Sequence, residues 1–342
     1  MSPRPSPLPD ARPVLVTGAA GFIGYHVSEA LLARGERVLG VDNLNAYYDP
    51  ALKEERLARL SASPGFRFER LDLAEPAATA ALFAAHQPRR VIHLAAQAGV
   101  RWSVSHPEDF VTANLVAFLQ VLEGCRAIGV DHLVYASSSS VYGDQARQPL
   151  QEASGADHPL SLYAATKRCN ELMAHSYAHL FGLPSTGLRY FSVYGPYGRP
   201  DMAVYLFAEA MRSGRPIQLF NHGDMVRDFT YVDDVVAGTL AALDHPPSPG
   251  PQDDDPARSA APFRVYNLGG GSPRPLVDLV DALERALGVT AIRELVGPQP
   301  ADVRETRADV SRLADAVGYA PSVPLEEGVR RFAAWYLSRP NP

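Results

Sequence analysis

Tyr163 and Lys167 stand four residues apart in the run Tyr163-Ala164-Ala165-Thr166-Lys167. On a helix that spacing places both side chains on one face. An ammonium beside a phenol favours the phenolate, so the Tyr163 pKa is expected to fall from its ordinary value near ~10. A shift of about three units would correspond to roughly 4 kcal/mol. A phenolate near neutral pH is a competent general base. The run Ser137-Ser138-Ser139-Ser140 precedes the pair, and a serine hydroxyl beside the base can relay the proton or hold the oxygen being oxidised. Such chemistry also needs a hydride acceptor. Alone, a Tyr–Lys pair four apart is common on exposed helices, so the case depends on a dinucleotide site elsewhere in the chain.

The elements that must position these groups can be read in order. Residues 161–181 carry Leu162, Leu172, Met173 and Leu180 at helical periodicity. Residues 13–17 read as a short buried strand, followed by Gly18-Ala19-Ala20-Gly21-Phe22-Ile23-Gly24, a helix to about Arg34, and a second strand over 37–41 that ends at Asp42. This is a β-α-β unit. Its glycines allow a tight turn and close approach to a pyrophosphate, which then sits at the helix N-terminus. Asp42 is placed to bond both ribose hydroxyls and to repel a 2′-phosphate, so NAD is expected rather than NADP. The spacing is G-x-x-G-x-x-G, a weak signal until the flanking strand, helix and acid are counted with it.

The alternation continues. Strands are expected at 66–71, running into Asp72-Leu73 beside the adenine, and at 90–94, where Leu94 leads into Ala95-Ala96-Gln97-Ala98. Small residues there let the chain pass close to the cofactor. A long helix is expected over 107–128, a strand over 132–136 ending at the serines, and another strand over 185–189. Strands alternating with helices predict an α/β fold, a Rossmann-type doubly wound parallel sheet that binds ligands at the strand C-termini. Beyond Phe191 the pattern breaks into short strands and helices. The expected division is a disordered stretch over 1–12, a dinucleotide-binding domain over 13–191 and a smaller mixed α/β substrate domain over 192–342, partly interleaved with the first. Residues 246–262, rich in proline, aspartate and small residues, read as a mobile surface loop.

Composition narrows the partners. The 342 residues suit one large or two moderate domains, and 46% hydrophobic content is ordinary for a globular chain. A net charge of −6 with both signs interspersed argues against nucleic acid. No apolar run is expected to approach the roughly 20 residues of a membrane span, and the proline-rich N-terminus lacks the apolar core of a secretory signal. Cys125 and Cys169 are expected as reduced structural thiols. The expected location is cytoplasmic. His175 and His179 are four apart but lack the H-E-x-x-H glutamate and a third ligand, so no metal site is expected.

With the glycine turn, the serine run and the Tyr163/Lys167 pair in this order, the chain resembles the extended short-chain dehydrogenase/reductase family over about residues 13–335. Within it, the chain is most similar to nucleotide-sugar 4-epimerases acting on UDP-glucuronate, through residues 42–49, 95–101 and above all Arg189-Tyr190-Phe191-Ser192-Val193-Tyr194-Gly195-Pro196-Tyr197-Gly198-Arg199-Pro200-Asp201-Met202-Ala203. The resemblance implies Tyr163 as base, Lys167 as its partner and, aligned through Val141-Tyr142-Gly143, Ser138 as the catalytic hydroxyl. It implies a cofactor set of Gly18, Gly21, Phe22, Ile23, Gly24, Asp42, Asn43, Asp72, Leu73, Leu94, Ala95, Ala96, Gln97, Tyr163, Lys167, Phe191 and Val193. The implied sugar-nucleotide set is Arg101, Ser138, Ser139, Ser140, Ser192, Arg199, Arg227 on the diphosphate and Arg304 at the nucleotide end. Ser192 departs from the pattern: this subfamily has threonine there and the galactose epimerases have asparagine.

The expected reaction is NAD-dependent 4-epimerisation of a UDP-sugar, UDP-glucuronate to UDP-galacturonate, through a transient 4-keto sugar, by a homodimer. Arg199 is expected to read the uronate carboxylate with help from Ser192; the competing reading is that it only caps its loop or pairs with Asp201. A UDP-glucose/UDP-galactose 4-epimerase is the nearer alternative, and a related decarboxylase or dehydratase the more distant one. Dehydratases of this type carry Asp-Glu after the catalytic hydroxyl, where this chain has Ser139-Ser140, groups unsuited to that acid–base work. A redox-sensing binding protein is disfavoured because both Tyr163 and Lys167 are present.

Overall fold

The computed structural model describes residues 12–145, 147–251, 255–299 and 302–339. The stretch expected to be disordered, residues 1–12, lies outside them apart from its last residue.

Six strands of the first half are β1 (Val14–Thr17), β2 (Val38–Asp42), β3 (Phe66–Arg70), β4 (Arg90–His93), β5 (His132–Ser138) and β6 (Ser185–Tyr190). With the edge strand Phe263–Leu268 they form one sheet in the order Phe263–Leu268, β6, β5, β4, β1, β2, β3, and every pairing is parallel. Parallel strands need crossovers over the faces, so both faces are covered. Alternation then sends Val14 and Val16 into one core and Leu15 into another. The first core holds helix α1 (Phe22–Ala33) and helix Val232–Asp244, with Val27, Leu31, Val235 and Leu240. The second holds helices Pro76–His86, Ala117–Ile128 and Leu162–Phe181, with Phe83, Phe118, Val121 and Ala178. Chain order reverses between β1 and β4, the point where such sheets open a ligand crevice.

The edge strand comes from the half assigned to the substrate, so that half is stitched into the cofactor sheet. Beyond it, helices Ala203–Arg212, Leu276–Leu287 and Leu325–Leu337 pack beside three two-stranded sheets.

Three sequence readings need correction or refinement. Residues 246–262 are not wholly a surface loop: Ala257 and Ala261 are buried in the second core, and Val265 N–H donates to Ala257 O at 2.8 Å. Helix Pro107–Ile128 is, by length and composition, long and apolar enough to cross a membrane; here a turn of π geometry at Thr112–Val116 interrupts it and its Phe118, Val121, Leu122 and Cys125 face the sheet. Helix Leu162–Phe181 forms as expected, with Ser161 Oγ accepting from Ala164 N–H at 3.2 Å and Gly182 closing it at φ 67°. Its leucines, however, point outward: Leu172 is 55% and Leu180 65% exposed. The inward face is Ala164, Thr166, Lys167, Asn170, Glu171, Ala174 and Ala178, small or polar residues that bring the helix close to the sheet.

Candidate active site

The glycine turn is shaped by steric necessity. Gly18 has φ +69°, and a Cβ there would lie 2.8 Å from Ala95 N and 2.9 Å from the Leu94 carbonyl carbon; a Cβ on Gly24 would lie 2.0 Å from Gly18 O. The β1 turn, the α1 N-terminus and the β4 exit can therefore meet only with hydrogen at these positions. Gly21 N–H donates to Gly18 O at 2.9 Å. Asp42 closes the unit by accepting from Ala20 N–H at 3.2 Å and Leu44 N–H at 2.9 Å, which leaves carboxylate lone pairs for further donors. Asn43 Nδ2 donates to Asp72 at 3.0 Å, and Asn43, Asn45, Arg70, Leu71 and Asp72 line an open cleft of about 390 Å³. At the β4 exit, Ala95 N–H donates to Thr17 Oγ1 at 3.1 Å. Phe22, Leu73, Gln97, Phe191 and Val193 are buried, while Ile23, Leu94 and Ala96 are half-buried. A backbone cradle that a single Cβ would fill, beside a carboxylate at the end of β2, fits a dinucleotide.

Alternation separates the serines. Ser137 turns beneath the sheet, where its hydroxyl donates to Glu171 at 2.6 Å, and Arg189 holds the same carboxylate through two bonds of 2.8 Å. Ser138 turns to the crevice: its Oγ accepts from Ser140 N–H and donates to Ser140 Oγ, both at 3.2 Å, and it hydrogen-bonds Tyr163. Ser139 and Ser140 follow in a short 3₁₀ turn and are half-buried.

The electrostatics of Tyr163 differ from the expectation. Burial pushes its pKa above 10, and the Ser138 hydrogen bond and the Arg199 charge oppose this. Lys167 is not the opposing cation: its Nζ donates to Ala136 O at 2.9 Å, and burial depresses its pKa to about 8. The four-residue spacing set both side chains on one face, but the ammonium is drawn to a backbone carbonyl near the C-terminal end of β5.

The four arginines expected to hold the sugar nucleotide all have carboxylate partners. Arg199 binds Asp201 through Nε at 3.0 Å and Nη2 at 2.5 Å. Arg227, largely buried, donates to Asp302 at 2.9 Å and to Val303 O at 2.6 Å. Arg101, from the cofactor half, lies 3.9 Å from Asp302 and stacks over Phe220 at 4.2 Å. Arg304 is 73% exposed and pairs with Asp224 at 2.9 Å, while its backbone carbonyl accepts from Arg227. Ser192 is half-buried, and its N–H donates to Asp228 O. The structure thus brings Ser138, Tyr163, Lys167 and Arg199 to one end of the crevice. Arg101, Arg227 and Arg304 gather around Asp302 and its neighbours.

Several site-building residues escaped the sequence reading. Asn114, in the π turn, accepts from Gln97 N–H at 2.8 Å and donates to Gln97 O and Thr166 Oγ1, each at 3.0 Å. Thr166 in turn donates to Tyr163 O, so one buried amide ties the β4 exit to the catalytic helix. A lone amide in the apolar run Asn114-Leu115-Val116-Ala117-Phe118 was the available signal. Arg56, fully buried, donates to Ala20 O at 2.8 Å, Tyr48 Oη at 2.8 Å and Tyr197 O at 2.6 Å. It clamps the glycine turn to the loop that carries Arg199. Tyr197 has φ +57°, a left-handed conformation that a non-glycine residue holds only when its surroundings enforce it.

Comparison with known proteins fits this geometry. The profile of the NAD dependent epimerase/dehydratase family matches residues 14–269. The chain is 47% identical over 328 residues to a probable UDP-glucuronate 4-epimerase of Rhizobium meliloti (strain 1021), covering 94% of this chain and 96% of that one. It superposes with a TM-score of 0.84 and 34% identity on a UDP-glucuronic acid 4-epimerase from Bacillus cereus in complex with UDP-glucuronic acid and NAD, covering 94% and 98% of the two chains. A UDP-glucose 4-epimerase from Thermotoga maritima with UDP-glucose aligns with a TM-score of 0.83 and 31% identity over 95% and 98%.

Proposed function

The chain belongs to the NAD dependent epimerase/dehydratase family, and from that premise we propose that it interconverts UDP-glucuronate and UDP-galacturonate at carbon 4. It is an isomerase of the UDP-glucuronate 4-epimerase type that uses NAD. The observation that carries the uronate assignment is the position of Arg199: a fixed guanidinium, mostly buried, close enough to Tyr163 to oppose the rise in its pKa.

In this mechanism Tyr163, whose phenolate form burial disfavours and the Ser138 hydrogen bond and Arg199 charge favour, takes the proton from the sugar 4-hydroxyl, with Ser138 holding that oxygen and passing the proton along. Bound NAD supplies the hydride acceptor that makes this oxidation reversible on either face of the sugar. Lys167, on the same helix as Tyr163 and anchored on Ala136 O, would hold the cofactor ribose. Arg227, Arg101 and Arg304 hold the diphosphate and nucleotide while the keto sugar turns over, and Tyr163 returns its proton to the other epimer. Oxidation at carbon 4 makes the carboxylate part of a β-keto acid, which loses carbon dioxide when that bond stands perpendicular to the ketone plane. Arg199, with paired directional donors, holds the carboxylate away from that geometry.

A second reading has its own support. Arg199 is already paired with Asp201, as it would be in an enzyme for neutral UDP-hexoses. Incubation with a panel of UDP-hexoses and UDP-uronates, scored for the 4-epimer, separates the two: the uronate is expected to turn over fastest, and preference for UDP-glucose would replace this reading with the other.

The proposal extends to a division near residue 191, with Asp42 selecting NAD over NADP, and to a homodimer. Support for the dimer is the outward apolar face formed by Val111, Val116, Leu119, Leu162, Leu172 and Leu180 on two neighbouring helices. Leu172→Glu should convert the particle to a monomer in light scattering; an unchanged mass in that variant, or a monomeric wild type at micromolar concentration, counts against it. The unbridged thiols Cys125 and Cys169 support a cytoplasmic location, which fractionation of cells would check.

A further inference from the structure

The contact between Arg199 and Asp201 belongs to a longer chain of residues. Tyr47 Oη donates to Asp201 Oδ2 at 3.0 Å, and Asp201 accepts from Nε and Nη2 of Arg199. Tyr47 lies in the segment that follows Asp42, so this chain runs from the cofactor side of the crevice to the arginine beside the base. Tyr47 is itself confined. Trp102 packs edge-on against its ring at 5.4 Å, and Gly99 leaves room for its hydroxyl, since a Cβ there would lie 2.7 Å from Oη. Burial works to raise the Asp201 carboxyl, but Arg199 and Tyr47 outweigh it and hold it below the ordinary carboxylate value.

A guanidinium has two edges that can grip a carboxylate. Asp201 occupies the Nε–Nη2 edge, and Nη1 makes no hydrogen bond among the described residues. An arginine that must hold a sugar carboxylate through turnover faces opposite demands: it must hold well enough to keep the bond off the perpendicular, yet release as the ring reverses. A fully charged, unpaired guanidinium in a buried site would grip tightly and would be costly to bury alone. A resident carboxylate answers both demands. It fixes the plane of the guanidinium, offsets its charge and leaves one edge free.

We propose that Asp201, oriented by Tyr47, is a positioning residue that restricts Arg199 to a one-edge, releasable hold on the substrate carboxylate. The inference rests on the uronate reading above and adds a residue that sets the strength of that hold. Asp201→Asn keeps the shape and removes the charge. For UDP-glucuronate it should lower KM by about threefold or more while lowering kcat by about tenfold or more, the pattern of a ground state held too well. Asp201→Glu should return kcat toward wild type, and Tyr47→Phe should shift both constants in the same directions by less. A Tm and a UDP affinity matching wild type show that the loop is folded; should Asp201→Asn fail that check, Tyr47→Phe carries the same kinetic test. A wild-type enzyme that does not turn over UDP-glucuronate overturns the uronate reading and this inference with it. An active wild type whose Asp201→Asn, or Tyr47→Phe where that variant carries the test, leaves both constants within about twofold, or raises KM as kcat falls, overturns the inference alone.

Discussion

The two ends of the crevice are built from different materials. The cofactor end is backbone: a turn of glycines pressed against Ala95 and Leu94 with no room for a methyl group, closed by Asp42 on two amide N–H groups. The proposed substrate end is side chain: Arg101, Arg199 and Arg304 reach in from loops and Arg227 from the short strand Val226–Arg227, each with an aspartate close by. A backbone cradle has one shape and suits a cofactor that stays. Arginine–aspartate pairs can exchange one anion for another and suit a substrate that must enter, turn over and leave. Tyr163 stands where the two ends meet.

The largest effect should come at that meeting point. Tyr163→Phe removes the proton acceptor and nothing else, so turnover should fall by about 10³-fold while NAD and UDP still bind in calorimetry; near-normal turnover would remove the base from this account. At the substrate end, Arg227→Ala should weaken UDP about 10- to 100-fold, the worth of one or two charge-assisted hydrogen bonds, without loosening NAD. The reverse pattern belongs to the cofactor end. Gly24→Ala forces a Cβ against Gly18 O and should weaken NAD by about 1–3 kcal/mol, with UDP affinity largely kept. If either variant loosened both ligands equally, the contrast between the ends would collapse.

Acid should distinguish the cofactor sheet. His93, which shares a 2.8 Å hydrogen bond with Thr17, has its pKa depressed by burial from 6.5 to about 3, and burial brings His132 to about 4. Both are neutral in the folded protein and protonate first in the unfolded chain. Stability is therefore expected to fall as pH drops from about 6.5 toward 4, by roughly 3 kcal/mol for His132 alone. Urea midpoints at pH 7, 5 and 4 would show this, and His132→Gln should flatten the slope. The smallest expected effect is that of salt: ionic strength should raise the KM for the UDP-sugar severalfold through the exposed Arg304 and Arg101, and leave NAD retention nearly unchanged.

The same contrast explains what could be read in the chain beforehand. The glycine turn, Asp42 and the Tyr163/Lys167 pair are local patterns whose spacing carries their geometry, and the parallel alternation followed from them. The parts that stayed hidden are long-range. Tyr47 meets Asp201 across 154 positions, Arg56 meets Tyr197 across 141, and Asn114 meets Thr166 across 52. No local period encodes such contacts. Periodicity placed a helix at Leu162–Phe181 but could not say which face looked inward, because the inward face is made of small and polar residues. The Tyr163 pKa was misjudged for a related reason: the spacing gives the proximity of Lys167 but not the carbonyl of Ala136, which claims its ammonium.

On the uronate reading, Arg199 tunes this crevice to the sugar carboxylate. The most direct test is the ratio of kcat/KM for UDP-glucuronate to that for UDP-glucose, measured in the wild type and in Arg199→Ala. The ratio is expected to lie well above one in the wild type and to fall by about 30-fold or more in the variant, on the order of the 2–5 kcal/mol lost with a charged partner in a desolvated site. A ratio below one in the wild type, or one that Arg199→Ala leaves unchanged, would contradict it.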